Sequence, residues 1–400
     1  MHERLIEDII CIYLWRCEMI SYIILENFKS FKEKTVIDLR KTNYTILPQN
    51  VSENEILKGV AFVGANGSGK STVLEAIKLL LDMMFGENKI NFQIYKSLLS
   101  KRQDFCLEYA FDLSGEEIIY KFSYSIVNDM IHEKLYKNEV VLYERDGKDA
   151  RSYFNKEEKI YDEKAIKQDG SFLRTLYFNG QLVHDSTLTK WIEFLKNSKY
   201  VNASPAMYDF QELTGYYNEY YENGGIQKIN EYLEKINYDQ RISYSDSVEG
   251  DYYQVQSPKK MLFYERQGVH MPVPFVNESL GNRTLIKVLS SYLPVLETGG
   301  ILLIDEFSSS FHSELERVLI KYFMEKSKSS QLILVSHSTT LLANSILRPD
   351  QEYAIEFDGA NGSKVMRFSS MQPRNSQNIS KMYLSGVFGG KPIYEEDFEI

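Results

Sequence analysis

The sequence predicts an α/β fold that carries an antiparallel β-meander and an inserted, mainly helical subdomain. Three observations lead there. The stretch GANGSGKST at residues 64–72 lies between the apolar run 60–63 and the amphipathic stretch VLEAIKLLL. A second apolar run, Ile301, Leu302, Leu303 and Ile304, ends in the adjacent carboxylates Asp305 and Glu306. Between them, from Phe105 to about Tyr153, apolar and polar residues alternate in short runs broken by Ser114-Gly115 and Asp146-Gly147.

Bulk composition narrows the class. With 43% apolar and 26% charged residues the chain reads as a soluble globular protein. Lys and Arg number 46 against 56 Asp and Glu, a formal charge of −10. Such a balance gives no global attraction to nucleic acid or anionic lipid, and leaves room only for a local basic groove. No apolar run is long enough to span a bilayer. The run IICIYLW at 9–15 is flanked by Glu3, Glu7 and Asp8 and lacks a cleavage site, so residues 1–18 read as an N-terminal extension. Cys11, Cys17 and Cys106 have no metal-ligand spacing, and the cytoplasm is the expected compartment.

The elements follow in order. YIILENF and TVIDL read as a hairpin, and residues 59–63 as a buried strand. The helix after the loop carries Val73, Leu74, Ile77, Leu80 and Leu81 on one face. The meander comes next. Residues 156–258 are helical in pieces, with 3.6-residue spacing in TLTKWIEFLKN and GIQKINEYLEKIN and no sustained heptad. Tyr216, Tyr217, Tyr220, Tyr221, Tyr232 and Tyr238 crowd this segment, as core packing or as a partner surface. Then LIKVLSSYLPVL reads as helix, ILLIDE as buried strand, SELERVLIKYFMEK as helix and QLILVS as strand, and 358–362 as the tip of a hairpin. The expected divisions are 1–18, 19–155 and 259–370 as two halves of one head, 156–258 as the insertion, and 371–400 as a tail.

The loop fits G-x-x-x-x-G-K-[ST] through Gly64, Gly69, Lys70 and Ser71. Backbone N–H groups along Asn66, Gly67, Ser68, Gly69, Lys70, Ser71 and Thr72 can wrap phosphates. The lysine then reaches the β- and γ-oxygens, and the Ser71 hydroxyl ligates Mg²⁺. Strand before and helix after are the context this chemistry requires. Such a loop needs a carboxylate site on a strand beside its own. Asp305 can hold Mg²⁺, and Glu306 sits where an attacking water would be. His337 ends the strand QLILVS, at the carboxyl edge where α/β sheets bind ligands. Ser279 and Gly281 precede a helix. They are either a helix cap or a second anion site that receives the γ-phosphate bound by another copy.

The order NFKSF, GANGSGKST, ESLGN, ILLIDE, SSSFH and VSH resembles the ABC-type P-loop ATPase heads of the SMC, RecF and OLD group. In that group two heads sandwich two ATP molecules. The resemblance implies ATP and Mg²⁺ as ligands, Ser279 and Gly281 acting in trans, Glu306 as general base, and His337 and Lys70 at the γ-phosphate. His312 stands in the D-loop position where aspartate is usual, and Gln93 is a candidate for the Q-loop. The ESxG signature, VSHS and the tail YLSGVFGGKP are similar to stand-alone abortive-infection ATPases of the AbiL and RloA kind. That likeness implies an anti-phage role, a head-to-tail homodimer or higher oligomer, and a separately encoded nuclease-like effector, with no membrane involvement. The resemblance also implies an alternative, a RecF-like ATPase that clamps duplex DNA; the pairs Lys101-Arg102, Lys259-Lys260 and Lys326/Lys328 are either part of a DNA groove or solvated faces. Glu395-Glu396-Asp397 read as a solvated tail, and no nuclease domain is expected after His337.

Overall fold

In a computed structural model, residues 18–163, 166, 170–204, 217–250, 254–309 and 311–391 are described. The extension through Cys17, Tyr216, Ser310 and the acidic Glu395-Glu396-Asp397 lie outside the described residues.

The described residues open with β1 (Glu18–Glu26) and β2 (Thr35–Asp38), then β3 (Gly59–Val63) and α1 (Lys70–Phe85). The meander follows as β4 (Asp104–Leu113), β5 (Glu116–Ser125), β6 (Met130–Lys137), β7 (Val140–Asp146), β8 (Asp149–Ser152) and β9 (Lys159–Tyr161). It runs past Tyr153 because Ile160 pairs with Arg151 in one more antiparallel strand. The N-terminal hairpin joins it through β1 and β4, which completes an eight-stranded antiparallel sheet ordered β2-β1-β4-β5-β6-β7-β8-β9.

Then come α2 (Phe172–Phe178), α3 (Ser186–Asn197), β10 (Lys199–Asn202) and α4 (Ile226–Lys235). β11 (Gln240–Glu249), β12 (Gln254–Arg266) and β13 (Val273–Pro274) form a small antiparallel sheet. α5 (Leu280–Thr298), β14 (Gly300–Asp305), α6 (Ser313–Lys326), β15 (Ser330–Val335), β16 (Glu352–Phe357), β17 (Ser363–Arg367) and α7 (Ile379–Leu384) follow among the described residues. β10, within the expected insertion, pairs in parallel with β14 at the edge of the head's sheet.

That sheet has six strands in the order β10-β14-β15-β3-β16-β17, parallel except for β17. Its central strands GVAFV, GILLID and SQLILV are buried at every position, as a parallel sheet covered on both faces requires. Alternation along β14 divides the two cores. Ile301 and Leu303 face α1 and the meander, while Leu302 and Ile304 face α5 and α6. Helix α1 lies between the two sheets. It therefore buries Ala76, Leu79, Met83 and Met84 in addition to the expected Val73, Leu74, Ile77 and Leu80, and leaves Leu81 only partly covered.

The tyrosines of the insertion pack. Tyr217 and Tyr221 pair their hydroxyls with Ser291 and Ser290 of α5 at 2.7 and 2.8 Å, and Tyr232 meets Tyr322 edge-on. Each such ring, fully buried, contributes about 1.5–3 kcal/mol through its apolar area.

Candidate functional site

The carboxyl ends of β3, β14 and β15 converge on one cleft of about 580 Å³. Residues 64–72 line it together with Ser30, Glu306, Val335 and His337. Asn66, Gly67, Ser68, Gly69, Lys70, Ser71 and Thr72 thus share one concavity, and α1 begins in it with its free N–H groups. A larger concavity of about 830 Å³ on the outer face of the meander is lined by opposed charges such as Lys121–Glu108 and Lys134–Glu144.

The loop's glycines are required by its conformation. Gly69 has φ +106°, and a Cβ there would lie 2.4 Å from Ser363 Oγ and 2.5 Å from Ser30 Oγ. Gly64 is pressed on β16, where a Cβ would come within 2.2 Å of the Ile355 carbonyl oxygen. The Lys70 ammonium donates to the Gly64 and Ala65 carbonyls at 3.0 and 2.7 Å. Burial pulls its pKa down, against the opposing pull of Glu306 and Asp305. Ser68 Oγ is buried with no hydrogen-bond partner among the described residues. A held cation, free helix N–H groups and an orphaned hydroxyl fit the phosphates of a nucleotide.

β14 does not lie directly beside β3, as the sequence reading placed it, because β15 is interposed. The site closes across that strand. Ser71 Oγ donates to Asp305 Oδ1 at 3.0 Å, and the Glu306 N–H donates to the same oxygen at 3.0 Å. Asp305 is 6% exposed, and burial raises its pKa, opposed chiefly by the Ser71 and Glu306 bonds. Ser71 and Asp305 are the residues that would hold Mg²⁺, two oxygen donors already in contact. Glu306 has φ +56°, a conformation that costs a non-glycine residue about 1 kcal/mol or more and is concentrated at functional sites. His337 stands at the cleft's mouth, its N–H donating to Ser308 Oγ at 2.9 Å. Burial and then the Lys70 charge push its pKa down, against the opposing pull of Glu306 and Asp305.

Ser279 and Gly281 are not among the residues lining this cleft. Ser279 is exposed at the N-terminus of α5, and its Oγ accepts from the Asn282 N–H at 3.3 Å as an N-cap. The cap contact is therefore real, and it leaves the serine on an open surface. Its frame is built by the small sheet. Arg266 donates to both oxygens of Glu278 at 2.7 and 2.8 Å, the Ser279 N–H donates to Glu278 at 2.7 Å, and Tyr264 donates to the Asn282 carbonyl. His312 caps α6 through Nδ1, which accepts from the Glu314 N–H. Gln93 lies on a short turn before the meander and does not line the cleft.

Ser30 was missed as a site residue by sequence reasoning, although it lies in the NFKSF stretch. Its Oγ is 3.5 Å from Thr72 Oγ1, and its carbonyl accepts from the Ser363 N–H at 2.7 Å. Ser363 in turn donates to the Ser68 carbonyl at 2.6 Å. Tyr200, 3.5 Å from Asp305 through its hydroxyl, carried no motif at all.

Among the described residues no helix is long and apolar enough to cross a membrane. No curated protein matches the chain. Among solved structures it is similar to an SMC head domain from Thermotoga maritima, at 14% identity and a TM-score of 0.48 over 87% of this chain and 98% of that one. It is also similar to an Smc head with an extended coiled coil, bound to the C-terminal domain of ScpA derived from Pyrococcus furiosus. There the identity is 13% and the TM-score 0.48, over 89% and 98% of the two chains. A third structure, an SmcHead bound to the C-winged helix domain of ScpA, gives 15% identity and a TM-score of 0.47 over 86% and 97%. The family model described as "AAA domain, putative AbiEii toxin, Type IV TA system" matches residues 60–343, a span that contains the phosphate loop, the Asp305-Glu306 pair and His337. The chain belongs to this AAA-domain family, an ATPase family built on the P-loop.

Proposed function

We propose that the chain binds and hydrolyses ATP with Mg²⁺ and works as a nucleotide-gated switch on a separately encoded, nuclease-like effector of an anti-phage system. The observation that carries the enzymatic part is the meeting of Lys70, Ser71, Asp305, Glu306 and His337 at one cleft whose wall is a helix N-terminus. Ser71 and Asp305 would hold Mg²⁺, which would supply positive charge beside the phosphate oxygens. Lys70 keeps a positive charge against the β- and γ-oxygens. Glu306 takes the proton of the attacking water, and His337 donates an N–H to the γ-phosphate. Ser279 and Gly281 are exposed or half-exposed and lie outside their own cleft, which suits a role in the cleft of a second copy. Two heads then close head to tail on two nucleotides.

The DNA-clamp reading has less support. Arg102 is engaged by Asp104 and Glu26, and Lys260 pairs with Glu222, so these cations are already neutralised locally. The effector and the defence role rest on the family and on the tail motif.

Glu306→Gln tests the switch. It should bind ATP, hydrolyse it slower by about 10²–10⁴-fold, and sediment as a dimer with ATP but not with ADP. A variant that stays monomeric at saturating ATP would remove the sandwich. Purification from the native operon should also bring a stoichiometric protein partner, whereas tightly held DNA alone would favour the clamp.

A further inference from the structure

The tail motif YLSGVFGGKP has no part in the chemistry above, yet the structure sets its Gly-Gly turn against the start of the phosphate loop. The Gly390 carbonyl accepts from the Ala65 N–H at 2.9 Å. That N–H belongs to the same peptide unit as the Gly64 carbonyl, which accepts from Lys70 Nζ on the opposite side at 3.0 Å. A planar trans peptide points its N–H and C=O in opposite directions, so fixing one fixes the other.

We infer that the turn at residues 386–390 is a positioning element for Lys70: by holding the Gly64–Ala65 peptide it sets the Gly64 carbonyl, one of the two on which the ammonium rests. The proposal depends on the reading of this loop as the ATP site.

The turn is built to keep its place. Gly386, Gly389 and Gly390 have φ of +84°, +67° and +69°, which suits glycine. A Cβ on Gly390 would meet the Ile355 carbonyl oxygen at 3.0 Å, and one on Gly389 the Glu356 carboxylate at 2.7 Å. Phe388 is buried and stacks on Phe368 at 3.9 Å between centroids with planes 7° apart. The Tyr383 hydroxyl donates to the same Gly390 carbonyl at 3.1 Å. β16 supports both partners, since its Ile355 backs Gly64 and its Glu356 accepts from the Gly390 N–H at 3.4 Å. Tail, edge strand and phosphate loop therefore form one chain of contacts that ends on the lysine.

The test uses Gly390→Val, which forces the turn away, and Phe388→Ala, which loosens its anchor without altering the turn's backbone. ATP affinity is titrated with a fluorescent ATP analogue well below each variant's melting temperature, with the unmodified chain and Lys70→Ala alongside. The expected result is ATP binding about five- to tenfold weaker in either variant, the worth of one well-placed hydrogen bond to the loop. Should Gly390→Val not fold, Phe388→Ala decides. A lowered melting temperature with unchanged ATP affinity would overturn the proposal, because a merely structural tail moves the first and not the second. If the unmodified chain itself binds no better than Lys70→Ala, the ATP-site reading falls, and the proposal with it.

Discussion

Glu352 gives the structure a measurable dependence on pH. It begins β16, opposite Ala61 of β3, and is 0% exposed with neither carboxylate oxygen partnered among the described residues. Burial, and then the charge of Asp350, push its pKa well above the ordinary 4.5. An acid whose folded pKa is raised favours folding below the unfolded value and loses that advantage as pH climbs toward the folded one. The slope is up to about 1.4 kcal/mol per pH unit, or about 3 kcal/mol across two units. Glu352→Gln has similar shape and no titration. Urea unfolding of both proteins between pH 5 and 8 reads the residue together with its coupling to Asp350, whose buried partner Arg348 is common to both. The variant should gain on the unmodified chain steadily as pH rises. Parallel profiles would refute the reasoning, because they would mean that the carboxyl is solvated or partnered.

Two other perturbations read the site's construction. Gly69→Ala forces a Cβ into Ser30 and Ser363 at φ +106°, and should weaken ATP binding by at least about tenfold. Adding Ser363→Gly should recover part of the loss in the same titration. Arg266→Ala withdraws both hydrogen bonds from Glu278 beside Ser279. It should slow hydrolysis by about tenfold while leaving ATP affinity of the single head unchanged, as followed by steady-state turnover and titration.

Much of this site is legible in the sequence, for a local reason. Phosphate contacts come from consecutive backbone N–H groups, so the residues from Asn66 to Thr72 and the loop glycines sit together in the chain. Asp305, Glu306 and His337 are marked by the apolar strands that end on them. What the sequence hides is pairing between distant segments. β15 intrudes between β3 and β14, and only the register of Leu332 with Gly59 and of Gly300 with Ser330 reveals it. Ser30, Ser363 and Gly390 reach the loop from three separate segments, through a backbone and hydroxyl network that carries no spacing signature. The tyrosine crowding was ambiguous because a buried hydroxyl and an interfacial one look alike until Ser290 and Ser291 are placed opposite.

Phosphate release from the purified chain tests directly whether this cleft turns over ATP through Lys70 and Glu306. With Mg²⁺ and ATP the unmodified chain should release phosphate. Lys70→Ala should neither bind ATP appreciably nor release phosphate above background, and Glu306→Gln should bind without turning over. Turnover by Lys70→Ala at the unmodified rate would contradict the account, as would the absence of any ATP binding by the unmodified chain.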